Sequence, residues 1–276
     1  MTAAIIVVTL AACLSATMAA GWLVALWTGR SGWIDAIWSF ATGAAAAGAA
    51  LVPFSGSEIS ARQTLVAALA LAWSLRLGLH ICARTMSDGD DPRYQHLREE
   101  WGVSFKCRLF WFLQIQALAS LVLAIAILVA AHNPAPGLGV SDWLGLALLT
   151  LAVAGEAIAD RQLSAFRSDP ANQRAICDIG LWGIMRHPNY FFEWLGWSAY
   201  AVIAIDLSGD YPLGWVTLTA PLLMYWLLVH VSGIPPLEAH MLRSRGAAFS
   251  DYQARVNAFW PGPHHRSRAK PAGLVR

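Results

Sequence analysis

Long apolar runs, separated by short polar segments, make up most of the chain as far as residue 231. Seven of these runs approach the roughly 20 residues that a helix needs to cross a bilayer. They are Ala3–Trp27, Ile34–Pro53, Thr64–Cys82, Phe110–Ala131, Trp143–Ala159, Tyr190–Ile205 and Leu213–Val231. Only helices satisfy their own backbone hydrogen bonds in lipid, and the ten-residue alternation of a membrane β-barrel does not occur. The pattern predicts an all-α integral membrane protein, a bundle of seven transmembrane helices.

The composition agrees with this class. Hydrophobic residues make up 57% of the chain and charged residues 13%, whereas a soluble domain carries about a quarter charged residues. The first run is too long for a signal peptide and has no basic residues before it, so it predicts a retained membrane helix. A net charge of +2 is too small to indicate a nucleic-acid partner. The four cysteines have no CxxC spacing and predict neither a disulfide framework nor a metal site.

Basic residues are unevenly distributed over the connecting segments. They concentrate after the third and fifth runs and in the C-terminal tail, whereas residues 132–142 contain no Lys or Arg and residues 206–212 contain only acidic charges. The positive-inside rule then places the N-terminus outside and the C-terminus in the cytoplasm. Abundant Ala and Arg with only two lysines suggest a GC-rich bacterial genome, so the expected location is a bacterial inner membrane. We expect one membrane domain over residues 1–261 and a flexible cytoplasmic tail over residues 262–276.

Charged residues in or beside membrane helices cost free energy, so each group of them is a candidate site. Glu156, Asp160 and Arg167 are four and then seven positions apart, which places them on nearly one face of the fifth helix. This face is either an interfacial salt-bridge surface or the polar wall of a cofactor cleft. Arg174 follows in the same predicted cytoplasmic loop.

The stretch Gly180–Trp194 is the most specific in the chain. Pro188 suits the first turn of a helix, where its missing N–H costs nothing. Asn189 and Glu193 then share one face just inside an apolar run, where a carboxylate needs partners. The preceding Arg186 and the start of the helix favour binding of an anion such as phosphate. The alternative is a helix-start proline beside a snorkelling arginine.

Two further groups carry polar residues. Beyond the seventh run, charged and apolar residues alternate from Glu238 to Arg255, which predicts either an amphipathic surface helix or a cap that holds cofactor phosphates. Near the end of the third helix, Arg76, His80 and Arg84 follow each other at four-residue steps. That face either holds a polar ligand head or is a satisfied structural feature.

The stretch Gly180–Trp194, together with Glu238–Pro261, resembles the steroid 5α-reductase superfamily, and most of all its bacterial branch. The resemblance implies a cytoplasmic cofactor cleft, NADPH as cofactor and Asn189 and Glu193 as contacts of the nicotinamide carboxamide. Asp160 and Arg167 fall where the reductases hold the adenosine and phosphates, and Glu156 falls at an Asn position. The cofactor-binding residues expected from the motifs and the resemblance are Glu156, Asp160, Arg167, Arg174, Arg186, His187, Asn189, Tyr190, Glu193, Glu238 and Tyr252.

The substrate half of the resemblance departs from the family. A Tyr and a Glu of the steroid reductases polarise the steroid ketone, and the aligned positions here are Ile81 and Ala36. The neighbouring His80, oriented by Asp35, is the candidate donor to the substrate oxygen. The expected catalytic residues are therefore Glu193, Asn189, His80 and Asp35, and a 3-oxo-Δ4 steroid does not follow as the substrate.

The expected function is NADPH-dependent reduction of a carbon–carbon double bond in a steroid-like or other lipid enone. Two alternatives stay open. Isoprenylcysteine carboxyl methyltransferases share the Arg-His-Pro-x-Tyr element, so an S-adenosylmethionine-dependent membrane methyltransferase fits the same residues. The second alternative is a lipid-binding protein without catalytic activity. The expected partners are the lipid substrate and membrane lipids, and the sequence does not predict an oligomeric state.

Overall fold

The computed structural model describes residues 3–53, 58–87, 92–173 and 175–263, and all regular secondary structure within these ranges is helical. The helices are α1 (Ala3–Thr28), α2 (Gly32–Ala50), α3 (Ala61–Ser87), α4 (Pro92–Trp101), α5 (Phe105–Ala131), α6 (Val140–Ser168), α7 (Leu181–Ile184), α8 (Pro188–Ala204), α9 (Thr219–Trp226), α10 (Ile234–Arg245) and α11 (Ala247–Arg255). Short 3₁₀ turns lie at Gly102–Ser104, Pro170–Asn172 and Pro212–Leu218, and a π turn lies at Leu227–Val231.

Every predicted apolar run lies largely in helix, which confirms the all-α class. Within the described residues, five helical segments are long and apolar enough to cross a membrane: Ala3–Thr28, Ala61–Ser87, Arg93–Ala131, Val140–Ser168 and Pro212–Arg245. The other two runs form α2, which has 19 residues rich in Ala and Gly, and α8, which has 17 residues. The count of seven spans stays a prediction.

The apolar pattern predicted one α-helix for the seventh run, but the structure does not form one regular α-helix there. The run begins as a 3₁₀ turn at Pro212, continues as α9 and ends in the π turn. Pro221 lies near the start of α9 and has no N–H to donate to the carbonyl of residue 217. The missing hydrogen bond accounts for the change from 3₁₀ to α-helical geometry just before Pro221.

The exposed surface of the long helices is apolar. Val8, Leu23, Trp111 and Leu118 each keep more than half of their surface uncovered. In water, so many exposed large side chains would favour aggregation, whereas in lipid they need no covering. The helices therefore belong to a membrane protein.

The chain divides into two compact units, each described separately below. One comprises Met1–Thr150 with Leu195–Met224, and the other comprises Leu151–Trp194 with Tyr225–Arg276. The predicted single domain over residues 1–261 stays a prediction. Of the predicted C-terminal tail, residues 264–276 lie outside the described residues.

Close helix packing through small residues organises the first unit. The backbone of Gly43 in α2 approaches Ser74 in α3 so closely that a β-carbon on Gly43 would lie 2.1 Å from that of Ser74. Nearby, the hydroxyls of Thr42 in α2 and Ser120 in α5 are 2.7 Å apart. Small side chains let the helices approach, and the paired hydroxyls satisfy each other in the apolar interior.

Replacing Gly43 by alanine is expected to lower the free energy of unfolding by roughly 1–3 kcal/mol, because the added methyl group forces α2 and α3 apart. Gly48 in the same helix is the matched control, since a β-carbon there meets nothing within 4 Å. Gly48→Ala is expected to stabilise the helix slightly. Thermal unfolding of both variants in detergent measures the difference. Equal midpoints for the two variants would contradict the packing account.

Candidate functional site

A carboxylate, Glu238 in α10, organises the polar interior of the second unit. Arg186 approaches it side-on: Nε donates to Oε1 at 2.8 Å and Nη2 donates to Oε2 at 3.2 Å. His187 Nε2 lies 2.9 Å from Oε1, and Gln253 Nε2 donates to Oε2 at 2.7 Å. We call these four residues the Glu238 cluster. The paired arrangement of Arg186 and the carboxylate combines charge with directional hydrogen bonds.

The bend between α7 and α8 explains why Arg186 and His187 reach Glu238. Met185 has extended backbone, and Pro188 begins α8 without needing an N–H donor. The N–H groups of Arg186 and His187 donate instead to the carbonyls of Asn257 at 2.8 Å and Ala258 at 3.1 Å. The segment after α11 therefore lies along this bend.

Arg186 uses most of its donors within the protein. Besides the two bonds to Glu238, Nη1 donates to the carbonyl of Gln253 at 3.2 Å and to the carbonyl of Val256. These four contacts tie the α7–α8 bend to α10 and to the end of α11. The contacts assign Arg186 a positioning role, whereas its role as a phosphate ligand stays a prediction.

His187 is buried, and its ring stacks on Tyr190 with centroids 5.5 Å apart and planes 10° apart. Burial lowers the pKa of His187 from its ordinary value by more than the hydrogen bond and the charge of Glu238 raise it, and the Arg186 charge lowers it slightly further. A neutral His187 that donates from Nε2 keeps a lone pair on Nδ1. That Nδ1 atom is buried and has no hydrogen-bond partner among the residues that the structure describes.

The lowered pKa of His187 predicts a specific pH dependence of stability. The unfolded chain binds a proton at His187 below about pH 6.5, whereas the folded protein resists binding it. The free energy of unfolding is therefore unaffected by His187 above that pH. It decreases as the pH falls below it, because only the unfolded chain then gains the proton. The difference in unfolding free energy between the wild type and His187→Gln is expected to shrink between pH 7.5 and 5.5. A constant difference over this range would show that His187 does not titrate differently on folding.

Buried hydrogen bonds connect α7 to α11 and to α6 within the second unit. The Tyr252 hydroxyl donates to the Trp182 carbonyl at 2.5 Å, and Trp182 Nε1 donates to the Ala159 carbonyl at 2.9 Å. Burial raises the pKa of Tyr252, so the phenol stays protonated and keeps donating. Gln162 Oε1 accepts from the N–H of Leu181 at 2.9 Å. The sequence motifs singled out neither Gln162 nor Gln253, because a glutamine in a polar helical stretch carries no distinguishing signal.

Glu193 and Glu156 are both buried, with 7% and 5% of their surface exposed. Gly155 precedes Glu156 in α6, and Phe192 precedes Glu193 in α8. These two helices contact each other closely here, since a β-carbon on Gly155 would lie 2.3 Å from the ring of Phe192. Asn189 lies one turn before Glu193 in α8 and is half-buried, with Oδ1 3.1 Å from the N–H of Tyr190. The protein therefore buries the carboxylates of Glu156 and Glu193 where α6 packs against the first turns of α8.

The remaining candidates of this unit lie at its polar end. Asp160 is half-buried in α6, and Arg167 is exposed in the last turn of α6. Arg174 lies outside the described residues. The role of Arg167 as a phosphate ligand stays a prediction.

Aromatic rings line the same unit beside α8. Their centroids are 5.1 to 6.2 Å apart. The cluster consists of Phe191, Trp194, Tyr225, Phe259 and Trp260. It packs the segment after α11 against α8, the helix that carries Glu193.

The other two catalytic candidates lie in the first unit. Asp35 in α2 accepts hydrogen bonds from two residues of α4, from Arg93 Nη2 at 2.5 Å and from the Tyr94 hydroxyl at 2.9 Å. His80 lies on an exposed face of α3. The aligned positions of the steroid reductases' polarising pair, Ile81 and Ala36, are buried and apolar. Both carboxylate oxygens of Asp35 are thus engaged by α4, and the orientation of His80 by Asp35 stays a prediction.

Apolar helices long enough to span a bilayer, with a buried polar cluster at the bend before α8, define an α-helical integral membrane protein. The chain belongs to the DUF1295 family, described as proteins of unknown function, whose model matches residues 21–256. No curated protein and no solved structure matches the chain.

Proposed function

We propose that the protein is a membrane-embedded, NADPH-dependent reductase of a carbon–carbon double bond in a lipid enone. The observation that carries the proposal is the burial of Glu193, one helical turn after Asn189. A carboxylate inside an apolar helix costs free energy that a purely structural helix start would avoid. Asn189 and Glu193 resemble the Asn-x-x-x-Glu of the reductases, and this resemblance implies the nicotinamide carboxamide as the ligand of the pair.

The residues present fit a nicotinamide. A carboxamide offers an NH₂ donor and a carbonyl acceptor, which a carboxylate acceptor and an amide donor complement. Glu193 would hold the first and Asn189 the second, while Arg167 and Arg174 would meet the phosphates from the cytoplasmic side. NADPH would supply the hydride in this reaction.

The chain's own residues set the conditions for that chemistry. The Glu238 cluster fixes the bend from which Asn189 and Glu193 project, so the geometry of the pair is held before a ligand arrives. A donor must stabilise the enolate oxygen of the substrate, and the assignment of this role to His80 rests on the sequence alone. The proposal includes seven spans, a cytoplasmic cleft and C-terminus, a bacterial inner membrane, and a steroid-like or other lipid substrate that enters from the bilayer.

Addition of millimolar NADPH to the purified protein is expected to raise its unfolding midpoint. Glu193→Gln is expected to weaken NADPH binding by about tenfold or more, because it removes a charged hydrogen-bond acceptor. Glu99→Gln, which neutralises an exposed carboxylate on α4, is the matched control and should bind NADPH like the wild type. The reductase proposal fails if the wild type gains no stability from NADPH, or if the two variants behave alike.

Methyl transfer is the second candidate, and one observation favours it. The best-connected part of the site, Arg186 and His187 with Glu238, is the element that reductases share with the isoprenylcysteine carboxyl methyltransferases. Under this alternative, S-adenosylmethionine raises the unfolding midpoint and NADPH does not. Incorporation of a tritiated methyl group into lipid would then identify the reaction. A lipid-binding protein without catalysis would turn over neither substrate.

A further inference from the structure

A cavity lies in the first unit, at the end of α1. The cavity has a volume of about 490 Å³ and is lined by residues from the end of α1, from α4 and from the start of α5. Its lining includes Leu26, Ser31, Arg98, Val103, Phe105 and Lys106. None of the described residues that line it is acidic. None of the candidate catalytic or cofactor residues lines it either.

The charges of this cavity suit an anion. Arg98 and Lys106 contribute two positive side chains from different elements. The Arg98 guanidinium lies over the ring of Phe105, 5.0 Å from its centroid, which orients the cation beside the cavity wall. The Lys106 backbone is fixed in turn, because Trp22 Nε1 donates to its carbonyl at 2.9 Å. A cavity of this size holds a small ligand rather than a single ion.

The position of the cavity points to a lipid. Leu26 lies in the last turn of α1, which is long and apolar enough to cross a membrane and ends at Thr28. Trp27 beside it is 88% exposed, as expected of a tryptophan anchor at the membrane boundary. Val103 is fully exposed and adds an apolar side chain beside the two cations. Cations and apolar side chains thus meet at the end of a helix that is long enough to cross a membrane.

From these observations, we propose that the cavity binds the headgroup of an anionic phospholipid. The phosphate is held by Arg98 and Lys106, and the glycerol end lies against Leu26 and Val103. Juxtamembrane basic residues each contribute about 1 kcal/mol to the attraction of anionic lipid. Loss of both cations is therefore expected to weaken the apparent affinity by about 30-fold. This site is independent of the proposed reductase activity.

The full chain in neutral detergent is titrated with dioleoyl phosphatidylglycerol while its thermal unfolding is followed. Phosphatidylglycerol is expected to raise the unfolding midpoint of the wild type, and the zwitterionic dioleoyl phosphatidylcholine is expected to raise it less. Arg98→Gln/Lys106→Gln should need about 30-fold more lipid. The control Arg108→Gln/Arg161→Gln removes the same charge from exposed positions that do not line the cavity, and should respond like the wild type.

A second pair of variants covers the case in which the double variant does not fold. Val103 is fully exposed, so Val103→Glu disturbs no packing but places a negative charge at the site, whereas Val103→Gln is its neutral control. Weaker lipid response in Val103→Glu alone supports the proposal. Equal responses of all variants overturn it, as does the absence of any lipid effect. Inorganic phosphate that stabilises as well as phosphatidylglycerol also overturns it, because the ligand is then a soluble anion.

Discussion

Asp142→Asn is expected to lower the free energy of unfolding by roughly 3–5 kcal/mol, one of the two largest effects that the structure predicts. Asp142 is fully buried at the start of α6 and pairs side-on with Arg62 of α3, which is 4% exposed. Arg62 Nε and Nη2 donate to its two oxygens at 2.7 and 2.8 Å. An asparagine there turns one acceptor into a donor and leaves a buried arginine without its counter-charge.

The surroundings of Arg62 make this loss difficult to compensate. Its remaining N–H groups donate to the carbonyls of Asn133, Ala135 and Gly137 at 2.6 to 2.8 Å. Asp142 Oδ2 also accepts from the N–H of Gly139 at 2.7 Å. One ion pair therefore orders the whole α5–α6 connection, and no donor of the guanidinium is left over to re-pair elsewhere.

Reversible unfolding in detergent, with Asp142→Asn compared against Asp210→Asn, measures the effect. Asp210 is an exposed acid in another predicted external loop, and its neutralisation should change stability little. The double variant Arg62→Met/Asp142→Leu should cost less than the sum of the single variants, because each single variant leaves one buried charge alone. A cost below about 1 kcal/mol for Asp142→Asn would mean that the pair is solvated or replaceable.

Glu238→Gln is expected to open the C-terminal part of the second unit by local unfolding. Glu238 accepts from Arg186 and Gln253 and contacts His187, so a glutamine removes the charge that all three share. Breaking a largely buried ion pair of this kind costs roughly 3 kcal/mol. The population of the open form should then rise by roughly 100-fold. The segment after α11 would leave the α7–α8 bend, and Asn189 and Glu193 would lose their fixed geometry.

Limited digestion with trypsin reports this opening through cleavage after Arg255 at the end of α11, since the open population governs such cleavage when reclosing is fast. The matched control is Asp251→Asn, which neutralises an exposed acid on the same helix. Glu238→Gln should be cleaved much faster than the control and the wild type. Equal cleavage rates would show that Glu238 does not hold α10 and α11 in place.

Several features of the fold follow from the sequence pattern because their cause is local. An apolar run of some 20 residues forms a helix in lipid since no other structure pairs its backbone groups, and this places α1, α3, α5 and α6 from the hydropathy alone. Pro188 predicts the start of α8 in the same way, through its own missing donor. Position along the helix also predicts that Asn189 and Glu193 share a face.

Pairings over long sequence separations did not follow from the pattern. The sequence singled out Arg186, His187 and Glu238 as separate cofactor ligands, whereas the structure joins them into one cluster across about 50 residues. Arg62 drew no attention because it stands just before an apolar run, where a basic residue is usually solvated. No feature of the sequence around Arg62 indicates that it pairs with Asp142, which lies 80 positions further along the chain.

The sequence by itself determined the helical membrane character of the protein, its apolar surface and the polar residues near the start of α8. The tertiary structure alone decided which charges neutralise each other, that Asp35 is held by Arg93 and Tyr94, and that a basic cavity lies at the end of α1. The physical reason is that helix formation in lipid depends on each segment's own backbone and side chains. The partner of a buried charge depends instead on which distant segments the packing brings within about 3 Å.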